Sequence, residues 1–231
     1  MATNIIAMQL KNNYYNYNMK NELSIEQIAD YILEKDLINK NITIQVYEEI
    51  VHLGHFLNSL KPHNILEVGA RGGTFLLFSK LSTGTKIAVD MDSVFKDSIY
   101  LSMIGEDFYF LNADSQSIET FEKVKSICPQ FDFIFIDGDH SYEGVKRDFE
   151  LYKQLLSPRG YIAFHDIDPN HVFRDIYSDD EPKTGKVRRF WEELDYGSKV
   201  EIICQKSNGK GYVPYNHSIK EHFGGIGIWK P

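Results

Sequence analysis

The chain of 231 residues carries 25 Lys plus Arg against 33 Asp plus Glu, for a net charge of −8. At roughly 100–200 residues per domain this is one large domain, and an acidic chain does not make a general phosphate-tracking surface, so nucleic acid is excluded as the expected partner. Two distant cysteines, Cys128 and Cys204, exclude a disulfide scaffold and a cysteine zinc site. No apolar run reaches the ~18 residues of a membrane span, and no basic segment followed by an apolar one opens the chain, so a cytoplasmic location is expected. Aromatic usage is lopsided, with 14 Tyr and 15 Phe against 2 Trp.

In chain order, the Asn/Tyr-rich run Lys11 to Asn18 has no clean period and reads either as a loosely ordered lead-in or as an arm for a neighbouring subunit. Ser24 to Leu33 reads as a short helix, with Ser24 as its cap and Gln27 three residues on. Apolar recurrence at Val46, Ile50, Leu53, Leu57 and Leu60 predicts a longer helix from about Ile44 to Leu60. The period then changes. Strands are predicted at Asn64–Gly69, Lys86–Asp92, Phe108–Asp114, Phe131–Asp139 and Gly160–Asp166, separated by helices near Gly73–Leu81, Val94–Met103, Ser117–Ile127 and Tyr142–Leu156. A polar stretch with acids at Asp179, Asp180 and Glu181 precedes a helix near Val187–Leu194, and strands at Lys199–Gln205 and Gly224–Lys230 bring the total to seven. The segment Lys206–Phe223 between them reads as a loop or lid. Strands alternating with helices make an α/β, doubly wound, mostly parallel sheet with helices on both faces.

Ligands of such sheets lie outside the carboxyl ends of the strands. The first strand ends in Glu67-Val-Gly69-Ala70-Arg-Gly-Gly73, a turn whose glycines let backbone approach a ligand. Asp90, about 20 residues further on, suits the ribose hydroxyls of a nucleoside, with helix capping as the alternative use of Asp90 or Asp92. Asp114 suits an exocyclic adenine amine or, equally, a cap. The strongest signal is Asp137-Gly-Asp139-His140-Ser-Tyr142 with His165-Asp166 at the next strand end. If these strands are neighbours, Asp137 and Asp166 converge, and two close carboxylates call for a cation such as Mg²⁺ between them. His165 is a third ligand, which would suit Mn²⁺ or another transition ion, or a residue supporting the ligands, or a packed histidine. His140 is either a general base or a cap for the helix that follows.

These motifs together (ILEVGARGG, AVD, NAD, the block from DFIFIDGDHSYEGV to YIAFHD, VRRFWEEL and GGIGIW) resemble the class I S-adenosylmethionine-dependent methyltransferases, and within them the macrolide-sugar O-methyltransferase and cephalosporin hydroxylase-like group. The resemblance covers about Gln45 to Lys230. It implies a seven-stranded sheet whose last strand is antiparallel, residues 1–44 as an extension open to oligomer contacts, and residues 45–231 as the methyltransferase domain. It places Gly69 and Gly73 against the methionine part of S-adenosylmethionine, with Glu67 supporting that turn and Ala70 among the cofactor-binding residues, Asp90 on the ribose and Asp114 near the adenine. It gives Asp137 and Asp166 to a divalent metal, with His165 standing where relatives carry a second acid. It makes His140, with Asp137, the catalytic pair. The implied reaction is O-methylation of a small molecule or sugar with neighbouring hydroxyls, by a homo-oligomer. N-methylation, a nicotinamide dinucleotide and a non-catalytic binding module are the alternatives.

Overall fold

The computed structural model describes residues 7–9, 23–39, 46–70, 73–91, 107–169, 185–203 and 224–231. The helix expected at Val94–Met103, the Asn/Tyr run, Asp92, the acids Asp179 to Glu181 and the segment Lys206–Phe223 lie outside them. The elements are β1 (Ala7–Gln9), α1 (Ile25–Asn39), α2 (Tyr47–Leu60), β2 (Ile65–Val68), α3 (Gly73–Leu81), β3 (Lys86–Asp90), β4 (Phe108–Asn112), α4 (Ile118–Ile127), β5 (Phe131–Ile136), α5 (Tyr142–Tyr152), β6 (Leu156–Phe164), α6 (Gly185–Glu193), β7 (Ser198–Ile202) and β8 (Ile226–Lys230).

All seven expected strands form one sheet, and β1 adds an eighth at its edge, in the order β1-β4-β3-β2-β5-β6-β8-β7. The central pairs β4/β3, β3/β2, β2/β5 and β5/β6 are parallel, while β8, the last strand, runs antiparallel to both β6 and β7. β1 pairs antiparallel with β4. The strand expected from Gly160 begins earlier, at Leu156, which pairs with Phe131 across a register shift. Pro158 and Gly160 broke the apolar pattern there, but a bulged pairing tolerates both.

Because successive strand residues point to opposite faces, the two helical layers can be read from parity. On one face Ile65, Phe133, Phe135 and Ala163 meet Ile28 and Ile32 of α1, Ile50, Leu53 and Leu57 of α2, and Leu77 and Phe78 of α3. On the other, Leu66, Val89, Ile134, Ile162 and Phe164 meet Phe121 of α4, Val145 and Phe149 of α5, and Phe190 and Trp191 of α6. Each fully buried Phe or Leu stabilises the fold by about 1.5–3 kcal/mol, so this double layer holds the strand ends in place. At the start of α1 the Ser24 amide donates to Gln27 Oε1 at 2.8 Å and the Gln27 amide to Ser24 Oγ at 3.2 Å, the reciprocal cap expected from the sequence.

Candidate active site

β2 and β5 lie side by side, yet the chain leaves them in opposite directions, β3 outside β2 and β6 outside β5. The crevice beyond their carboxyl ends is therefore the switch point of the sheet. Gly69 closes β2 with φ +82, and a Cβ there would stand 2.1 Å from the Asp137 carbonyl oxygen. The Asp137 amide donates to Val68 O at 2.8 Å. Glycine is what lets these two loops touch. The amides of Gly69 and Ala70 both donate to Val89 O, at 2.8 and 3.2 Å, so they face the sheet and not the crevice. Gly73 opens α3, and Arg71 and Gly72 are outside the described residues.

Glu67 is fully buried. Its Oε1 accepts from the Thr74 hydroxyl, and its Oε2 has no hydrogen-bond partner among the described residues. Burial pushes its pKa well above the usual carboxylate range; the Thr74 bond opposes this, and the charges of Asp137 and Asp90 add to it. Asp90 ends β3 and is half-buried, and the Asn112 side-chain amide ties the carbonyls of Asp90 and Met91 at 3.0 and 2.6 Å. Asp114 is exposed and accepts the Gln116 amide at 2.9 Å, shaping the loop, while the cap of α4 falls to Ser117.

The Asp137–His140 loop resolves a second ambiguity. α5 is capped by Ser141, whose Oγ accepts the Gly144 amide at 3.0 Å, and Asp139 accepts the Ser141 amide at 2.9 Å. With the cap supplied by its neighbours, the His140 ring is directed elsewhere. Its side chain is 52% exposed, with Nδ1 at 2.7 Å from Asp166 Oδ2 and Nε2 at 3.3 Å from Asp137 Oδ1. Burial would lower its pKa, but the Asp166 and Asp137 carboxylates prevail and hold it well above the usual imidazole range. Asp137 responds in kind. Burial would raise it, and His165 and His140 bring it below its ordinary value.

Parity also sets His165. It lies two residues past Ala163, on the face of β6 that α2 covers, against the Phe135 ring. It is 5% exposed, and Nδ1 stands 3.1 Å from Asp137 Oδ1 and 3.2 Å from Asp166 Oδ1. Burial lowers its pKa and the Asp137 and Asp166 charges more than reverse this, bringing it to about 9. Asp166 itself has a left-handed backbone, φ 61, which costs a non-glycine residue on the order of 1 kcal/mol and aims its carboxylate back at Asp137. One donor atom each from Asp137, His140 and Asp166 lie within 4.8 Å of one another, close enough to share an ion. His165 sits behind that group. The sequence did not flag Glu49 of α2, which is fully buried with Oε2 4.0 Å from His165 Nε2. An acid on an apolar helix stripe was its only available sign.

A family profile described as a methyltransferase domain matches residues 66–167, from β2 to the residue after Asp166. In the solved structure of an O-methyltransferase from Bacillus cereus, bound to S-adenosylhomocysteine, the similarity covers 88% of this chain and 90% of that one at TM-score 0.60 and 16% identity. The fold is that of the class I S-adenosylmethionine-dependent methyltransferases. A second methyltransferase of this fold, MycE of mycinamycin biosynthesis, solved with Mg, S-adenosylhomocysteine and mycinamycin VI, shows TM-score 0.53 and 13% identity over 74% of this chain and 46% of that one. An uncharacterized protein of Acanthamoeba polyphaga mimivirus is 30% identical over 80 residues, 35% of this chain. The match spans 36% of that relative's length. On this sheet Glu67, Gly69, Asp90, Asp137, His140, His165 and Asp166 all stand at the carboxyl edge, in the last residues of β2 and β3 or in the loops after β2, β5 and β6. No helix of the described residues is long and apolar enough to cross a membrane.

Proposed function

We propose that the chain transfers the methyl group of S-adenosylmethionine to a hydroxyl oxygen of a small molecule bearing neighbouring hydroxyls, assisted by a divalent cation. The observation that carries this reading is the convergence of Asp137, His140 and Asp166 donor atoms within 4.8 Å beside the switch point of the sheet. Two carboxylate oxygens suit a hard divalent ion such as Mg²⁺ or Mn²⁺, and the imidazole beside them is placed to handle the acceptor's proton. The buried Oε2 of Glu67, without a hydrogen-bond partner among the described residues, fits a cofactor that brings a polar group to the turn after β2. Asp90 is the acid for the ribose and Asp114 stands on the adenine side. When bound, the sulfonium supplies a methyl group on a good leaving group, and the cation orients the acceptor oxygens and lowers the hydroxyl pKa.

The chain's own residues then have three tasks. Asp137 and Asp166 hold the cation, and His165 Nδ1 supports both from behind. Asp166 Oδ2 accepts from His140 Nδ1, which fixes the tautomer and leaves Nε2 as the proton acceptor. A cation between the two acids would offset the charge that keeps His140 protonated, leaving Nε2 as the atom to take the proton of the acceptor hydroxyl. The half-exposed ring gives substrate access.

The test is formation of S-adenosylhomocysteine with a panel of vicinal diols, before and after chelation. Turnover should vanish with EDTA and return with Mg²⁺ or Mn²⁺, and His140→Ala should lower kcat by roughly 10²-fold or more. Unchanged turnover after complete chelation refutes the metal role; unchanged kcat in the variant refutes the base.

A further inference from the structure

Glu49 sits one residue before Ile50 on α2, on the stripe it shares with Leu53 and Leu57, where an apolar side chain is the ordinary occupant. A carboxylate there is costly unless it is held by specific partners. Its Oε1 accepts the Gly225 amide at 3.0 Å, and its Oε2 faces His165 Nε2 at 4.0 Å. The backbone around it is shaped to allow this. Gly224 has φ +87, and a Cβ there would stand 2.6 Å from Glu49 Oε2 and 3.3 Å from His165 Nε2. On its other side the same imidazole faces Asp137 Oδ1 and Asp166 Oδ1 through Nδ1, at 3.1 and 3.2 Å. A buried ring thus stands between one carboxylate on its Nε2 side and two on its Nδ1 side.

We propose that Glu49 is a positioning residue for the cation site: it holds His165 with Nδ1 toward the two aspartates, and so sets the spacing of Asp137 and Asp166. The inference rests on the reading that these two acids hold a divalent ion. An imidazole can turn over about its Cβ–Cγ bond, and what decides between its two orientations is the partner each nitrogen finds. Glu49 supplies the charge that faces the Nε2 side, an ion-pair neighbour at 4.0 Å beyond hydrogen-bond length, and is fixed in turn by the Gly225 amide. Without it, Nδ1 is no longer constrained to lie between Asp137 and Asp166, and the two acids lose the group that keeps their Oδ1 atoms apart. Residues that support ligands in this way typically change metal affinity by about 10–100-fold.

The probe is Mn²⁺ alone, titrated into the full chain and followed by the electron paramagnetic resonance signal of the free ion, with S-adenosylmethionine affinity and melting temperature measured beside it. Glu49→Gln keeps the side-chain volume and the acceptor for the Gly225 amide, and removes the charge facing His165. It should bind Mn²⁺ about 10–100-fold more weakly, with S-adenosylmethionine affinity within about twofold of the parent. Combined with His165→Asn, it should weaken Mn²⁺ no further than His165→Asn alone, because Glu49 acts through that ring. Equal Mn²⁺ affinity in Glu49→Gln and the parent overturns the inference, and so does a full additional loss in the double variant. If Glu49→Gln does not fold, Glu49→Asp, too short to keep its place beside His165, carries the same expectation and the same refutation. A parent chain that binds no Mn²⁺ overturns the cation reading itself, which is a different result from a parent that binds and a variant that binds equally.

Discussion

Asp148 offers a test of the buried electrostatics that needs neither cofactor nor substrate. It lies on the inner side of α5 and is wholly buried. Oδ1 accepts the Ser115 hydroxyl at 2.9 Å, the Tyr152 hydroxyl holds the Ser115 carbonyl at 2.8 Å, and Oδ2 has no hydrogen-bond partner among the described residues. Burial raises its pKa to about 7 from 3.8; the Ser115 bond opposes this, and the charges of Asp139 and Asp114 add to it. The folded chain therefore takes up a proton between these two values, so stability falls as pH rises across that window. At about 1.36 kcal/mol per pKa unit, a shift of this size corresponds to roughly 4 kcal/mol, an order-of-magnitude figure. Asp148→Asn keeps an oxygen for Ser115 and removes the charge. Its advantage over the parent should grow by roughly 3 kcal/mol between pH 5, where the folded parent still holds Asp148 neutral while the unfolded chain has ionised it, and pH 9, where both are ionised. For a chain of this size that is on the order of 6–12 °C in Tm. Urea unfolding at both pH values measures the difference, and a difference that is the same at pH 5 and pH 9 refutes the argument, since only an ionisation makes it pH-dependent.

Two further expectations follow from the same edge of the sheet. Gly69→Ala places a Cβ at φ +82 against the Asp137 carbonyl, 2.1 Å away, so the loop after β5 must move; Tm should fall by more than about 10 °C or the folded chain should be lost, and a shift under about 2 °C contradicts the contact. In metal-free chain, the His165 contribution is fully present below its ordinary pKa of 6.5 and lost as pH rises through about 9, so unfolding free energy should drop by up to about 3 kcal/mol over that window. Asp148→Asn should leave this upper drop intact while flattening the one below pH 7, and a profile without the upper drop refutes the imidazole's place between the acids.

Much of the edge was legible because its signals are local. Gly69 follows an apolar run, Asp137 and Asp166 follow two others, and parallel pairing of β5 with β6 places the last two together. His140 could be read either way from its neighbours, and Ser141 and Asp139 decide the matter by taking the helix N-terminus themselves. Glu49 and Asp148 were illegible for a physical reason. An acid in a helix normally faces water, and whether it is buried depends on partners distant in the chain. Glu49 meets an amide 176 positions later. Asp148 meets a hydroxyl 33 positions earlier. The strand β1 was hidden likewise, since three residues carry no period to read.

The distribution of these costly groups is itself informative. The buried acids Glu49, Glu67, Asp148 and Asp168 and the buried His165 all lie on or beside the loops beyond β2, β4, β5, β6 and the turn into β8, whereas the buried Lys86 stands at the opposite edge with its Nζ donating to Gly84 O at 2.7 Å. Of the left-handed backbones, Gly69, Asp166, Gly224 and Gly225 are found along that same edge, while Lys61, Asp107 and Gly197 turn the chain at the other. A folding chain gains nothing from burying charge or bending backbone in this way, because apolar substitutes of similar volume are commonly as stable or more so. The gathering of buried acids and an imidazole around Asp137, His140 and Asp166 is what a site with preset charge requires. The two apolar layers over the central strands supply the stability that lets the edge keep it.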